Sequence, residues 1–162
     1  MVRNRSKAGF TLVEAMATVA IIAIVSAMSA PLMLQANRFF ILTKARTDLQ
    51  QEARSIMYVL TRELRQAHSN SIVISHSSGS QPYFSMITFT KEQGNTMTFS
   101  QRGNLLQQQS RTLSKHLRYL AFSFPRSDDM SIVSVSMTLQ TNIYEGKMKA
   151  LHVASEKVRV MN

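Results

Sequence analysis

The chain has no cysteine and no tryptophan, only five glycines and three prolines, and nine acidic residues against nineteen basic ones. Without cysteine there are no disulfides, thiolate metal sites, iron–sulfur clusters or cysteine nucleophiles, so an exported domain must be held together by its core alone. There is no Gly-rich phosphate loop and no nucleophile-elbow pattern, so catalysis is not expected and no cofactor is predicted. His68, His76, His116 and His152 are scattered, with no two at ligand spacing, which leaves a zinc site without support. Asp128-Asp129 could offer carboxylates to a cation, but a polar turn before the next strand explains the pair equally well. No metal is predicted.

The shortage of acids gives a formal net charge of +10, which invites an anionic partner. Outside the N-terminus, however, the basic excess is diffuse, and aromatics at 7% offer little surface for stacking bases. DNA therefore enters only as an alternative partner, for a membrane-anchored protein whose affinity for DNA would fall steeply with salt.

At 162 residues there is room for one globular domain and an accessory segment. The accessory segment stands out: Phe10 to Leu34 reads FTLVEAMATVAIIAIVSAMSAPLML, with Glu14 as its only strongly polar member. As a helix of 1.5 Å rise it would span about 37 Å, enough for a hydrocarbon core of about 30 Å. Arg3, Arg5 and Lys7 precede it, which places that end in the cytoplasm and exports the remainder. A cleavable secretory signal ending at Val25-Ser26-Ala27 is the competing reading. Glu14 opposes it. A carboxylate in an apolar helix costs up to ~2.5–3.5 kcal/mol at the bilayer centre and marks a functional position by default, whereas a discarded signal has no use for one.

The string Lys7-Ala8-Gly9-Phe10-Thr11-Leu12-Val13-Glu14 resembles the processing site of type IV prepilins and type II secretion pseudopilins. The resemblance implies cleavage after Gly9 by prepilin peptidase, methylation of the new Phe10 amine by the same enzyme, and assembly through the N-terminal helix. Removing the first nine residues would lower the net charge from +10 to +7. Implied partners are the peptidase/methyltransferase, other pilins or pseudopilins, the inner-membrane assembly platform and membrane lipid. The physics of Glu14 agrees, because an ammonium on Phe10 can meet the Glu14 carboxylate of a neighbouring subunit, and an acid neutralised in only one stagger selects that register. Pro31 falls where pilin helices often carry a proline, and a kink or local loosening is expected there.

Beyond the apolar segment, Phe39, Leu42, Leu49, Ala53, Ile56, Leu60, Leu64 and Ala67 recur mostly at spacings of three and four, the stripe of an amphipathic helix. The spacing predicts one continuous helix from Phe10 to about Ser69, a spine of about 90 Å suited to a filament subunit. Strand periodicity follows, cleanest in Val133, Val135, Met137 and Leu139. Weaker strands are expected at Ile72 to Ser75, Tyr83 to Thr90, Thr96 to Gln101, Asn104 to Gln108, Tyr119 to Phe124 and Ala150 to Val160. Tight turns are expected at Gln93-Gly94-Asn95 and Arg102-Gly103-Asn104. The predicted fold class is α+β, a long N-terminal helix packed on an antiparallel meander, with a leader at 1–9, a transmembrane and assembly helix at 10–34 and a periplasmic domain at 35–162.

The stretch Leu60-Thr61-Arg62-Glu63-Leu64-Arg65-Gln66-Ala67, followed by hairpins and a C-terminal strand, resembles minor members of that family, particularly the J-type pseudopilin. That resemblance implies a place in a priming complex at the filament tip. Pili, type II secretion and competence machines all use subunits of this plan, and the sequence does not choose among them.

Overall fold

The computed structural model describes residues 11–79, 81–144 and 148–161. Arg3, Arg5, Lys7, Gly9 and Phe10, the predicted topology and cleavage residues, lie outside the described residues. The chain divides into two compact units, Met1–Ile41 and Leu42–Asn162. One helix, α1, runs from Leu12 to Arg65 and contributes to both.

In the first unit α1 is almost purely apolar, yet its side chains are exposed: Leu12 at 77%, Ile22 at 64% and Met33 at 78%. By length and composition it can cross a membrane, and none of its most apolar 18-residue window is buried by the chain itself. Thr18 Oγ1 donates to the Ala15 carbonyl and Ser29 Oγ to the Val25 carbonyl, each at 2.8 Å, so these hydroxyls are satisfied within the helix. Pro31 sits inside α1, which stays helical on both sides of it. Lacking an N–H, the proline leaves the Ala27 carbonyl without its usual donor.

In the second unit the rest of α1 turns one face into a core. Leu49, Ala53, Ile56, Met57, Leu60 and Leu64 are buried at the expected three- and four-residue steps. The predicted stripe began too early, since Phe39 is 71% exposed and burial starts in earnest at Leu49. The helix also ends at Arg65, before the predicted Ser69. A single turn of 3-10 helix follows at Ser69–Ser71, where the Ser71 hydroxyl donates to the His68 carbonyl and competes with the helix ladder.

Among the described residues eight strands follow: β1 Val73–Ser75, β2 Met86–Thr90, β3 Thr96–Arg102, β4 Leu105–Gln108, β5 Arg111–Ser114, β6 Leu117–Ser123, β7 Ile132–Ile143 and β8 Met148–Arg159. Every pairing is antiparallel and sequential, as a meander requires. The expectation of one meander is corrected to two, a five-stranded sheet β1-β2-β3-β4-β5 and a three-stranded sheet β6-β7-β8. Strand β5 was not foreseen, because Arg-Thr-Leu-Ser has no apolar alternation and its register against β4 shifts between Leu106 and Gln107. Both predicted glycine turns are present. Gly94 (φ 80°) and Gly103 (φ 60°) take the left-handed conformation that side chains disfavour.

The core combines the α1 face with Ile87, Phe89 and Phe99 of the first sheet and Leu120, Phe122, Val133, Val135, Met137 and Leu139 of the second, all at or near full burial. One side chain joins the sheets. Gln101 of β3 is 4% exposed; its Oε1 accepts from the Leu120 N–H at 3.0 Å, and its Nε2 donates to the carbonyls of Gly103 (3.0 Å) and Arg118 (3.2 Å). Main-chain bonds from Phe122 to Phe84 and from Leu117 to Asn104 occupy the same side of β6. The gap between sheets is thus closed by an amide and loop carbonyls rather than by a ladder.

Candidate functional site

The start of α1 explains itself locally. Thr11 precedes the first helical residue, and its Oγ1 accepts from the Glu14 N–H at 3.3 Å, while the Ala15 N–H donates to the Thr11 carbonyl at 3.1 Å. Thr11-Leu12-Val13-Glu14 is therefore a helix N-cap with an acid at the third helical position, a pattern readable in the sequence but overlooked there. An acid in the first turn also faces the positive end of the helix dipole, a favourable place for its charge.

The cap accounts for the helix start but leaves the carboxylate itself unanswered. Among the described residues no side chain forms an ion pair or hydrogen bond with it. Around it stand Leu12, Val13 and Met16, exposed at 77%, 74% and 66%. The geometry is a lone carboxylate set in an exposed apolar helix, a few residues after the predicted cleavage position.

A second acid on the same helix shows the opposite arrangement. Glu63 is 5% exposed, with Oε1 held by Arg62 at 2.9 Å and Oε2 against the Lys91 ammonium, from the turn after β2. Burial pushes its carboxyl up, but hydrogen bonds from Lys91 and Arg62, with their charges, outweigh that and hold it below the usual carboxylate value. The backbone makes the same connection, with Ala67 bridging to Lys91 and the Glu92 N–H donating to Gln66 at 3.2 Å. Glu63 therefore pins the end of α1 to the first sheet. The sequence string containing it has a structural cause: Leu60, Leu64 and Ala67 are fully buried, and Glu63 closes the buried pair.

Of the remaining candidates, Asp129 closes a turn, accepting from both the N–H and the hydroxyl of Ser131. Those bonds hold its carboxyl below the usual value. Asp128 lies toward Arg126 at 3.5 Å. The histidines are dispersed: Nδ1 of His116 meets Glu52 at 2.9 Å and the His76 ring tilts against Phe84, while among the described residues no three acids or histidines gather as a metal set.

An exposed apolar helix with a capped start and one acid, leading into a helix-on-sheet domain, is the α+β architecture of a pilin-like subunit. Residues 4–30 match the family model described as the prokaryotic N-terminal methylation motif, which supports placing the chain in the type IV pilin and pseudopilin family. No curated protein and no solved structure matches the chain. The motif implies processing by prepilin peptidase and assembly with other pilins, and with the apolar half of α1 it fits a membrane-anchored subunit.

Proposed function

We propose that the chain is a minor subunit, similar to the J-type pseudopilin, in the tip or priming complex of a type II secretion pseudopilus or type IV pilus. It is held in the inner membrane by α1 with its N-terminus cytoplasmic, is cleaved between Gly9 and Phe10, is methylated on the Phe10 amine, and docks on the inner-membrane assembly platform. Its role is structural, not catalytic. The observation that carries the reading is Glu14, a carboxylate in an exposed apolar helix that no described side chain neutralises. An acid so placed calls for a cation from outside its own fold, and the Phe10 ammonium of a neighbouring subunit is the one created by the processing event itself. Methylation keeps that amine charged.

Two measurements test this. Intact mass of the chain recovered from membranes should correspond to a start at a methylated Phe10; a start at Met28 would mean ordinary signal-peptidase cleavage and end the proposal. Glu14→Gln should be processed normally, because removing a charge eases insertion. It should then cross-link to partner subunits about tenfold less, since even a third of the ~3–5 kcal/mol lost on breaking a buried pair has that effect. Equal cross-linking at equal abundance would deprive Glu14 of this role.

A further inference from the structure

Strand β8 is twelve residues long and stands at the edge of its sheet with only β7 beside it. The other edge of that sheet, β6, is occupied by Gln101 and by the Phe84 and Asn104 carbonyls. Nothing described covers β8. The Val160 N–H donates to the Ser131 carbonyl at 2.8 Å, and the register pairs Val158 with Val133, Glu156 with Val135 and Ala154 with Met137. Even-numbered residues of β8 therefore exchange bonds with β7, and the N–H and C=O groups of Lys149, Leu151, Val153, Ser155 and Lys157 point to the free side. Two apolar residues stand in the middle of this edge, Leu151 at 52% and Val153 at 68% exposure.

Beside β8 the sheet stops short of the helix. A groove of about 620 Å³ separates them, lined on the α1 side by Arg54, Tyr58, Arg62 and Arg65 and on the other by Glu156 and Met161. Arg62 is engaged by Glu63, but Arg54 and Arg65 have no ion pair among the described residues. A strand added beside β8 would lie about 4.8 Å further out and continue the sheet over this groove, with alternate side chains directed at the arginines.

We propose that β8 is a docking edge for an extended acidic segment of a partner protein. The segment pairs with the main chain of Lys149 to Lys157 as a fourth strand and sets its carboxylates against Arg54 and Arg65. Charge chooses this occupant over a second copy. The edge carries Lys149, Lys157 and Arg159, so two β8 strands paired antiparallel about Val153 would place Lys149 opposite Lys157, a destabilising like-charge pair. Edge lysines commonly act to ward off such pairing, and they do so without repelling an acidic strand. The interface is independent of Glu14, and its failure would leave the assembly role of that residue untouched.

The test uses the full chain in detergent micelles and a dye-labelled nine-residue peptide of alternating Thr and Glu, with an alternating Thr and Lys peptide as control, read by fluorescence anisotropy. The acidic peptide should bind at least tenfold more tightly than the basic one and weaken as salt rises. Val153→Pro should reduce binding tenfold or more with an unchanged circular dichroism spectrum, because its N–H faces the free side and a proline there spares the β7 ladder. Arg54→Glu with Arg65→Glu should reverse the preference toward the basic peptide, and decides alone if the proline variant misfolds. Equal binding of both peptides, no binding, or binding that survives the arginine reversal overturns the proposal. So does self-association cross-linked through Val153→Cys that excludes the acidic peptide.

Discussion

Glu14 and Glu63 lie on one helix, both in apolar surroundings, and differ in where their counter-charge comes from. Glu63 is answered within the chain by Arg62 and Lys91 and is sealed under a sheet. Glu14 has no answering group among the described residues, and the side chains around it are exposed. The same contrast separates the two stretches of α1. From Leu49 onward its apolar face is buried by the strands of its own domain, whereas the apolar side chains between Leu12 and Leu34 are exposed among the described residues. A helix segment whose partners are internal makes a domain; one whose partners are external makes an anchor and an assembly surface.

The largest effect should come from removing one of these two stretches of α1. Residues 42–162 alone should be a soluble, folded α+β monomer, while the full chain needs detergent; sedimentation and circular dichroism check both. A disordered product would mean that residues 1–41 are needed for the domain to fold.

Next in size is the buried pair. Lys91→Ala leaves Glu63 buried beside one cation instead of two, and should cost about 2–4 kcal/mol in denaturant unfolding of the full chain in micelles, somewhat under the range for a wholly broken pair because Arg62 remains. Since the folded state holds the Glu63 carboxyl below its unfolded value, its contribution is present above about pH 4.3 and is lost as pH falls through the lower folded value. Glu63→Gln should flatten that acid limb. An identical acid dependence in wild type and Glu63→Gln would show that other groups set it.

Gln101→Leu comes third. It deprives the Leu120 N–H and two carbonyls of their partner in a buried gap, and should cost about 2–3 kcal/mol in the same unfolding measurement. Smallest is Glu52→Gln, which breaks the half-exposed contact with His116 and should change stability by less than about 1 kcal/mol. A larger loss there than for Lys91→Ala would invert the ranking of buried over exposed pairs.

What could be read from the sequence follows the same division. The apolar segment, the helical stripe from Leu49 to Leu64 and the alternation of β7 were legible because each repeats one rule along many residues. Glu14 was legible because it breaks such a rule. Strand β5 and the split into two sheets were not, since a four-residue polar strand and the short link at Lys115-His116 carry no period. Nor could the roles of Glu63 and Gln101 be foreseen. Each depends on a partner from another element, Lys91 for one and Leu120 for the other, and single-residue patterns do not encode who arrives opposite. For the predicted cleavage residues Gly9 and Phe10, which lie outside the described residues, sequence carries the whole argument.

Gln101 also constrains the order of events as the chain folds. Its strand belongs to the first sheet, but the groups that satisfy its amide include the Leu120 N–H and the Arg118 carbonyl, in a strand made later. Until β6 arrives, the first sheet must either keep that amide wet or bury it unsatisfied, and neither permits the dry packing of the finished core. The interior under the first sheet is therefore completed only once β6 is in place, and a chain ending before residue 117 should form a collapsed domain without a settled interior.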